Sequence, residues 1–217
     1  NGDGITDYVT GAYRHRGNGH RAGAIIVFDS LTGNRLLKVL GPTGSEFGWD
    51  VDSLGDINGD GFHDFVVGAW QEDIQGQQCG AGYVISGADG TPLYRKPGNP
   101  GWLTGYAVAN VGDLDQDGIN DFAIGSTLAD SGGTASGQVD IYSGSTGWTI
   151  QSHIGLSGWE FGSSISPAGD ISGDGISEYL IGSVKADGNV PNVGAYSLYD
   201  GKTNEILWQV FGSYKGE

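Results

Sequence analysis

The sequence feature that most constrains the fold is an acidic motif that recurs at a fixed interval along the chain. Its four copies read NGDGITDY, DINGDGFHDF, DLDQDGINDF and DISGDGISEY, starting at residues 1, 56, 113 and 170. The central aspartates are Asp3, Asp60, Asp117 and Asp174, and 60 − 3, 117 − 60 and 174 − 117 all equal 57. A fixed period of this size is typical of repeat architectures, in which each repeat is one supersecondary unit that packs on its neighbours.

Each repeat contains short segments with the composition of β-strands. An apolar run follows every acidic motif and ends on Gly-Ala or Gly-Ser, as in DFVVGA at 64–69. Two further runs flank a turn rich in Gly, Asp, Asn and Thr, which is typical of a hairpin, and a fourth run leads into the next motif. No stretch of helical period is long enough to connect parallel strands. The pattern predicts an all-β fold, a β-propeller built of four-stranded antiparallel blades.

The period also predicts how the chain is divided. We expect a single propeller segment over residues 1–217, with repeats at approximately 1–46, 47–103, 104–160 and 161–217. Four complete repeats would require 4 × 57 = 228 positions, and since 228 − 217 = 11, the chain lacks 11 of them. Because the repeat is interrupted inside the motif, we expect a piece of a longer propeller with more than four blades. A closed four-bladed ring is the less favoured alternative, since its seam would lack one strand.

The formal charge of −16 argues against nucleic acid and anionic membranes as partners. Of the 26 acidic residues, 12 lie in the four motifs (two, three, four and three in order), so the charge is concentrated there. Cys79 is the only cysteine, which excludes an intrachain disulfide. No apolar run reaches the length of a transmembrane segment, so no membrane insertion is predicted within this segment.

The acidic motifs have the ligand pattern of a calcium loop. Numbered from Asp56, oxygen side chains stand at positions one, three, five and nine, a backbone carbonyl is available at seven, and Gly61 at six permits a sharp turn. A divalent cation would relieve the repulsion among carboxylates that crowd one short loop. The predicted ligands are Asn1, Asp3, Ile5 and Asp7; Asp56, Asn58, Asp60, Phe62 and Asp64; Asp113, Asp115, Asp117, Ile119 and Asp121; and Asp170, Ser172, Asp174, Ile176 and Glu178.

The donor set favours Ca²⁺, about one ion per repeat loop, with Mg²⁺ as second choice. The lack of His and Cys ligands argues against zinc or copper. Position twelve, where an EF-hand needs glutamate, is a strand residue such as Val67. We expect the 113–121 loop to bind tightest, the 170–178 loop to bind more weakly because of Ser172 and Glu178, and the first loop to be incomplete. The alternative is that the motifs are ordinary Asp/Gly turns, which four copies in register make less favoured.

The stretch FGWDVDSLGDINGDGFHDFVVGA at 47–69 resembles an FG-GAP repeat, the blade unit of integrin α-subunit propellers. The stretches at 104–126 and 161–183 are similar, with Thr104 in place of Phe and with Ser126 and Ser183 in place of Ala. The resemblance, which extends to secreted bacterial FG-GAP proteins, implies a seven-bladed ring, calcium in the blade hairpins and an extracellular or cell-surface location. Four repeats are fewer than the seven that the resemblance implies.

For function, the sequence favours a calcium-binding extracellular scaffold for adhesion or protein binding, with an unidentified protein or glycan as partner. Loops 71–82 and 128–137 vary in sequence between repeats, so these loops are where we expect a partner to bind. The alternative is a lectin-like propeller that stacks sugars on its tryptophans, which are Trp49, Trp70, Trp102, Trp148, Trp159 and Trp208. Packing between blades is the less specific explanation for these side chains.

A third possibility is a non-catalytic segment of a secreted hydrolase or lyase. No nucleophile elbow, P-loop or zinc motif is present in the sequence, so no enzyme activity is predicted for this segment. The four histidines do not change this expectation. His63 falls within a calcium loop and is expected to face solvent, and His15 and His20 lie in a basic loop, whereas His153 lies in a strand.

Overall fold

The computed structural model describes residues 1, 3–74, 77–188 and 191–213, and its regular elements are all β-strands. In chain order the strands are β1 (Tyr8–Gly11), β2 (Ala24–Phe28), β3 (Arg35–Leu40), β4 (Val51–Gly55), β5 (Asp64–Ala69), β6 (Asp73–Ile74), β7 (Gln77–Gln78), β8 (Ala81–Ile85), β9 (Pro92–Pro97), β10 (Thr104–Gly112), β11 (Asp121–Ser126), β12 (Gln138–Tyr142), β13 (Thr149–Ile154), β14 (Phe161–Gly169), β15 (Glu178–Ser183), β16 (Ala195–Tyr199) and β17 (Ile206–Phe211).

The strands form one sheet per repeat. The first sheet has the order β1-β2-β3, and the next three are β4-β5-β8-β9, β10-β11-β12-β13 and β14-β15-β16-β17. Successive strands pair antiparallel, as β5 does with β4 and β8. The predicted all-β fold with four-stranded antiparallel blades is therefore confirmed. A small hairpin, β6-β7, lies inside the 71–82 segment, which the sequence analysis treated as a loop. Two-residue strands are too short to carry a periodic signal.

The last two strands of every sheet are joined by the same turn. In the first sheet, Gly33 donates its N–H to the carbonyl of Asp29 at 2.8 Å, and the Asp29 carboxylate accepts the N–H of Leu31 at 2.8 Å. The φ of Gly33 is +71°, which favours glycine at this point of the turn. Equivalent backbone bonds close the turns at 86–91, 143–148 and 200–205. The Gly/Asp/Asn/Thr composition thus produces its hairpins by local backbone chemistry.

The chain forms two compact units, Asn1–Val108 and Ala109–Glu217. The core of the first unit lies between the first and second sheets and includes Ile25, Val67 and Ile85. The core of the second unit lies between the third and fourth sheets and includes Ile141, Tyr179 and Ile181. Full burial of side chains of this size contributes roughly 1.5–3 kcal/mol each, so the stacking of sheets accounts for much of the stability of each unit.

Glycine allows two pairs of backbone segments in the first unit to approach closely. A Cβ atom on Gly68 would lie 2.1 Å from the carbonyl oxygen of Gly105, and one on Gly11 would lie 2.0 Å from the carbonyl oxygen of Gly48. Neither oxygen can move aside easily, because both belong to the backbone. The glycine that closes each of these apolar runs is therefore required by the close approach of a neighbouring backbone segment.

Candidate metal centre

Each of the last three acidic loops is wound around the carboxylate at position one. In the second loop, Asp56 accepts the N–H groups of Gly59 at 2.7 Å, Asp60 at 3.1 Å and Gly61 at 2.9 Å. The same pattern surrounds Asp170 in the fourth loop, and Asp113 accepts two such bonds in the third. These bonds hold the loop in a tight turn with its acidic side chains gathered on one side.

The carboxylate at position five contacts both its own loop and the hairpin turn of the same sheet. Asp60 accepts the N–H of Phe62 at 2.9 Å and the hydroxyl of Ser86 at 3.1 Å. The bond from Phe62 lowers the pKa of Asp60 and favours its ionised form. Sequence reasoning missed the contribution of the hairpin, because Ser86 is far from Asp60 in the chain and belongs to a different turn.

The hairpin residue that contacts position five is a serine in the third loop and a lysine in the fourth. Ser145 donates its hydroxyl to Asp117, whereas Lys202, at the same place in the next repeat, lies with its ammonium 3.5 Å from Asp174. Aligning the repeats pairs Ser145 with Lys202, so the sequence did contain a signal that the fourth loop differs from the third at this contact. The ammonium brings a positive charge to the fourth loop, where a metal ion would otherwise be alone in balancing Asp174.

The residue at position nine is completely buried in the last three loops and joins the acidic loop to the hairpin turn in the second and third. Asp121 accepts the N–H groups of Leu114 at 2.8 Å and of Gly144 at 3.0 Å. Asp64 makes the matching pair of bonds in the second sheet, with Ile57 and Gly87. Sequence reasoning assigned position nine as a metal ligand alone, but its carboxylate also connects two turns that are well separated in the chain.

Glu178, which replaces aspartate at position nine of the fourth loop, satisfies only half of its carboxylate. Its Oε2 accepts the N–H groups of Ile171 and, at 3.1 Å, of Ser172. Its Oε1 is buried and has no hydrogen-bond partner among the described residues. Carboxylate oxygens of Glu178, Asp170 and Asp174 lie within 4.8 Å of one another. The fourth loop therefore combines a cluster of three carboxylates with one buried oxygen of Glu178 that has no partner among the described residues.

The third loop brings a different set of carboxylates together. Oxygens of Asp113, Asp115 and Asp117 lie within 4.8 Å of one another, and the last two side chains are exposed. In the second loop, Asn58 stands where the third has Asp115 and donates its amide to Asp60 at 2.8 Å. The third loop is thus the most acidic of the four, as its sequence indicated.

The first loop differs from the others in its contacts. Asn1 accepts the N–H of Asp3 at 3.0 Å, and Asp3 accepts the N–H of Ile5 at 2.8 Å, which keeps the turn pattern of positions three, five and seven. The side-chain amide of Asn1 donates to the carboxylate of Asp29 at 3.2 Å. Asp7 accepts the N–H of Ser30, so position nine again reaches the hairpin turn of its sheet.

Burial makes the charge at position nine costly in the absence of a cation. It raises the pKa of Asp121 to about 6, although the N–H groups of Gly144 and Leu114 oppose the shift. Burial also raises the pKa of Asp64, against the bonds from Gly87 and Ile57. An ion of opposite charge within a few ångströms would favour the ionised form of both groups.

The tryptophans occupy several environments. Trp49 lies at the centre of a half-buried aromatic cluster, with ring centroids 5.1 Å from Tyr13, 5.2 Å from Trp70 and 5.7 Å from Tyr106. Trp148 is exposed over 78% of its surface at a hairpin turn. The remaining three are Trp102, which is half-buried, Trp159, which packs edge-on against Phe211, and Trp208, which is exposed on β17.

Two of the histidines lie in opposite environments, one exposed and one buried. His63 in the second loop is exposed. His153 is buried, its Nε2 lies 2.8 Å from the hydroxyl of Tyr179, and burial lowers its pKa to about 4. Sequence reasoning gave His153 no role, and the structure places it as a neutral side chain in the interior of the second unit.

Comparison with known proteins finds a repeat family and relatives that share these acidic loops in sequence. The FG-GAP repeat family matches residues 47–85 and 104–142, and both matched segments contain an acidic loop. Human integrin α-6 is 41% identical over 106 residues, which is 46% of this chain and 9% of that protein. Mouse integrin α-3 is 31% identical over 157 residues, which is 68% of this chain and 14% of that protein. The chain thus spans about a tenth of the length of these curated relatives.

A solved structure supports the fold. A europium-containing methanol dehydrogenase aligns with a TM-score of 0.53 at 13% identity, covering 89% of this chain and 39% of that one. At this identity the likeness concerns the fold alone. The sheets and their period define a protein of the β-propeller class. FG-GAP repeats are found in two of its repeats, and integrin α subunits are similar to it in sequence, so the resemblance seen in the sequence is confirmed.

Proposed function

We propose that the chain is a calcium-binding segment of an extracellular or cell-surface β-propeller that acts as an adhesion or protein-binding scaffold. Its relatives are integrin α subunits, which supports a binding role in place of catalysis. The described residues include no helix with the length and apolarity that a membrane crossing requires. The partner is an extracellular protein or glycan.

The observation that carries the calcium proposal is the unpartnered Oε1 of Glu178. A buried carboxylate oxygen without a donor is costly, and native proteins satisfy such groups with a partner or an ion. Here the group lies with Asp170 and Asp174 in a cluster of oxygen donors, which is the ligand chemistry that calcium prefers. The residues therefore fit the ion that the repeat implies.

In this proposal the ligands come from positions one, three, five, seven and nine of each loop. The ion would supply positive charge where the carboxylates converge and would offset the cost of ionising Asp64 and Asp121. Since position nine also holds the hairpin turn, binding would connect the loop to the outer strands of its blade. The rigid blades would then present the variable segments at 71–82 and 128–137 to a partner.

A calcium titration of the purified chain tests this proposal. We expect the melting temperature to rise with calcium and to fall again with excess chelator, because an ion that binds only the folded state stabilises it by about 2.7 kcal/mol per site at one hundred times its Kd. Asp117→Asn should remove one site in calorimetric titration, while Asp73→Asn, an exposed acid outside the loops, should leave all sites. Identical melting with calcium and chelator would refute the proposal.

A further inference from the structure

The loop between β1 and β2 carries a concentration of positive charge in a strongly acidic chain. Of the 10 Lys and Arg residues, three lie in residues 12–23, together with two of the four histidines. The same stretch contains no Asp or Glu. Arg14, Arg16 and His20 are exposed. We call residues 12–23 the basic loop.

The backbone of the basic loop is held by the connection that leads from β3 to β4. Gly44 donates its N–H to the carbonyl of His20 at 2.9 Å, and Glu46 donates its N–H to the carbonyl of Arg21 at 2.9 Å. The buried carboxylate of Glu46 forms an ion pair with Arg21 and accepts the indole N–H of Trp70 at 3.0 Å. Glu46 is therefore already engaged, and the loop presents its other basic groups on a fixed backbone.

His15 of the basic loop meets Lys38 of β3 without an acceptor between them. The Nζ of Lys38 lies 2.8 Å from the Nε2 of His15. Gly17 donates its N–H to the Nδ1 of His15 at 2.9 Å, so the proton of the neutral imidazole is on Nε2. An ammonium has donors only, and two donors therefore face each other. None of the ion pairs formed by the described residues involves Lys38.

The second repeat has a complete acid–base pair at the same place. Glu72 stands one repeat after His15, since 72 − 15 is 57, and Arg95 stands one repeat after Lys38, since 95 − 38 is 57. Arg95 donates to the Glu72 carboxylate at 2.6 Å, and the hydroxyl of Tyr83 donates to the same carboxylate at 2.6 Å. The first repeat thus has the cation of this pair without its carboxylate. A carboxylate from outside the chain would supply the acceptor that His15 and Lys38 lack.

The exposure of the basic loop is a property of its position in the repeat. Asp73 and Gln77 stand one repeat after Arg16 and His20, and both are exposed. The second repeat is preceded and followed by other repeats of this chain, so the start of the sequence does not account for this exposure.

We propose that the basic loop binds an acidic segment of a protein partner. One carboxylate of that segment would take the place beside His15 and Lys38 that Glu72 occupies in the second repeat. Its two oxygens can accept one bond from the imidazole N–H and one from the ammonium, and such charge-assisted bonds are strong. The exposed arginines of the loop would then meet neighbouring acidic side chains of the partner.

The acidic loop of the same sheet is too far away to prevent this binding. β1 is four residues long, so roughly 13 Å of strand separates the basic loop from the acidic loop. This distance exceeds the Debye length of about 8 Å at physiological salt, and the repulsion is therefore largely screened. The inference names the partner chemistry for the protein-binding role proposed above and rests on that role, but it does not require calcium in the acidic loops.

Fluorescence anisotropy of a dye-labelled hexaglutamate peptide, titrated with the purified chain in physiological salt, tests the inference. We expect hexaglutamate to bind, and hexaglutamine with the same label not to bind. Lys38→Gln and His15→Glu should each weaken binding at least about tenfold, since each removes a charge-assisted hydrogen bond. His15→Glu should also raise the melting temperature, because it gives the first repeat the carboxylate that the second already has. Arg35→Gln, which removes one exposed positive charge at the start of β3, is the matched control and should bind as the unsubstituted chain does.

Other outcomes would overturn the inference. If hexaglutamate did not bind, the basic loop would hold no carboxylate site. Equal weakening by Arg35→Gln would show that binding follows the overall charge and not this pair. A heparin-derived hexasaccharide that bound where hexaglutamate did not would assign the loop to a sulfated glycan. Circular dichroism verifies that each variant is folded, and since His15 and Lys38 lie on different elements, either variant alone can decide the result.

The melting experiment with calcium and chelator separates this inference from the calcium proposal. A chain that calcium stabilises but that binds no hexaglutamate would contradict the acidic partner alone. A chain that binds hexaglutamate without responding to calcium would contradict the calcium proposal alone.

Discussion

Replacing Asp121 with asparagine should change the stability of the chain in opposite directions with and without calcium. Burial raises the pKa of Asp121 to about 6 from an ordinary value of 3.8. One pKa unit corresponds to about 1.4 kcal/mol, so the ionised carboxylate costs the folded state about 3 kcal/mol at pH values above 6. This cost is fully present above the folded pKa and disappears as the pH falls below 3.8.

Asparagine removes the charge but cannot satisfy every donor. Its carbonyl can still accept the N–H of Leu114, whereas its amide group would face the N–H of Gly144 and leave that buried donor unpaired, at a cost of about 2 kcal/mol. In chelator the variant should therefore be about 1 kcal/mol more stable than the unsubstituted chain. In calcium at one hundred times Kd, it should lose most of the roughly 2.7 kcal/mol that one site contributes and become about 2 kcal/mol less stable.

Urea unfolding at pH 7.5, followed by tryptophan fluorescence, measures both differences. Asp73→Asn is the matched control, since it removes an exposed charge outside the loops and should stay within about 0.5 kcal/mol in both conditions. If Asp121→Asn destabilised the chain equally in calcium and chelator, the claim that an ion balances the buried charge would be refuted.

Three further substitutions follow from particular contacts. The unsubstituted chain should lose about 2 kcal/mol of unfolding free energy between pH 6.5 and pH 5, and His153→Val should lose less by that amount. The reason is that His153, buried beside Tyr179 with a pKa of about 4, stays neutral in the folded state, whereas the same side chain is protonated in the unfolded chain. Lys202→Ser, measured by calcium titration, should tighten the fourth site about fivefold by removing the ammonium near Asp174. Gly68→Ala should cost at least about 3 kcal/mol in urea unfolding, since its Cβ would overlap a backbone oxygen.

Each of the three substitutions has a control measurement or a result that would contradict the prediction. The pH dependence of His153→Val is compared with that of the unsubstituted chain in the same buffer, and an unchanged slope would contradict the assignment. An affinity of the fourth site that does not change in Lys202→Ser would mean that the ammonium does not compete with the ion. For Gly68, the control is Gly33→Ala, where no atom lies within 4 Å and only the positive φ adds a cost of about 1 kcal/mol.

Much of the fold could be predicted because its signals are local. The apolar run at 64–69 became β5, and the turn residues between Asp29 and Asn34 close their hairpin through backbone bonds inside that one turn. The position-one and position-five aspartates likewise bond to N–H groups of their own loop. Spacing and residue type were sufficient for these features, since both partners of each bond lie in one short segment.

The remaining features could not be predicted, because they depend on which segments the fold brings together. Ser86 and Lys202 reach the acidic loops from hairpin turns that follow the next two strands of the same sheet. The hairpin β6-β7 is too short to leave a pattern in the sequence. The burial of His153, and with it the direction of its pKa shift, is set by neighbours on other strands.

By itself, the sequence determined the period of the repeat, the blade type and the composition of each acidic loop, because those follow from residue order along single segments. Only the tertiary structure decided that position nine is buried in the last three loops, that Asp64 and Asp121 are each shared between two turns, and that Glu178 keeps one oxygen unpartnered. The physical reason is that burial and hydrogen-bond satisfaction depend on what packs over a residue. That is decided by neighbouring strands and sheets, many positions away in the chain.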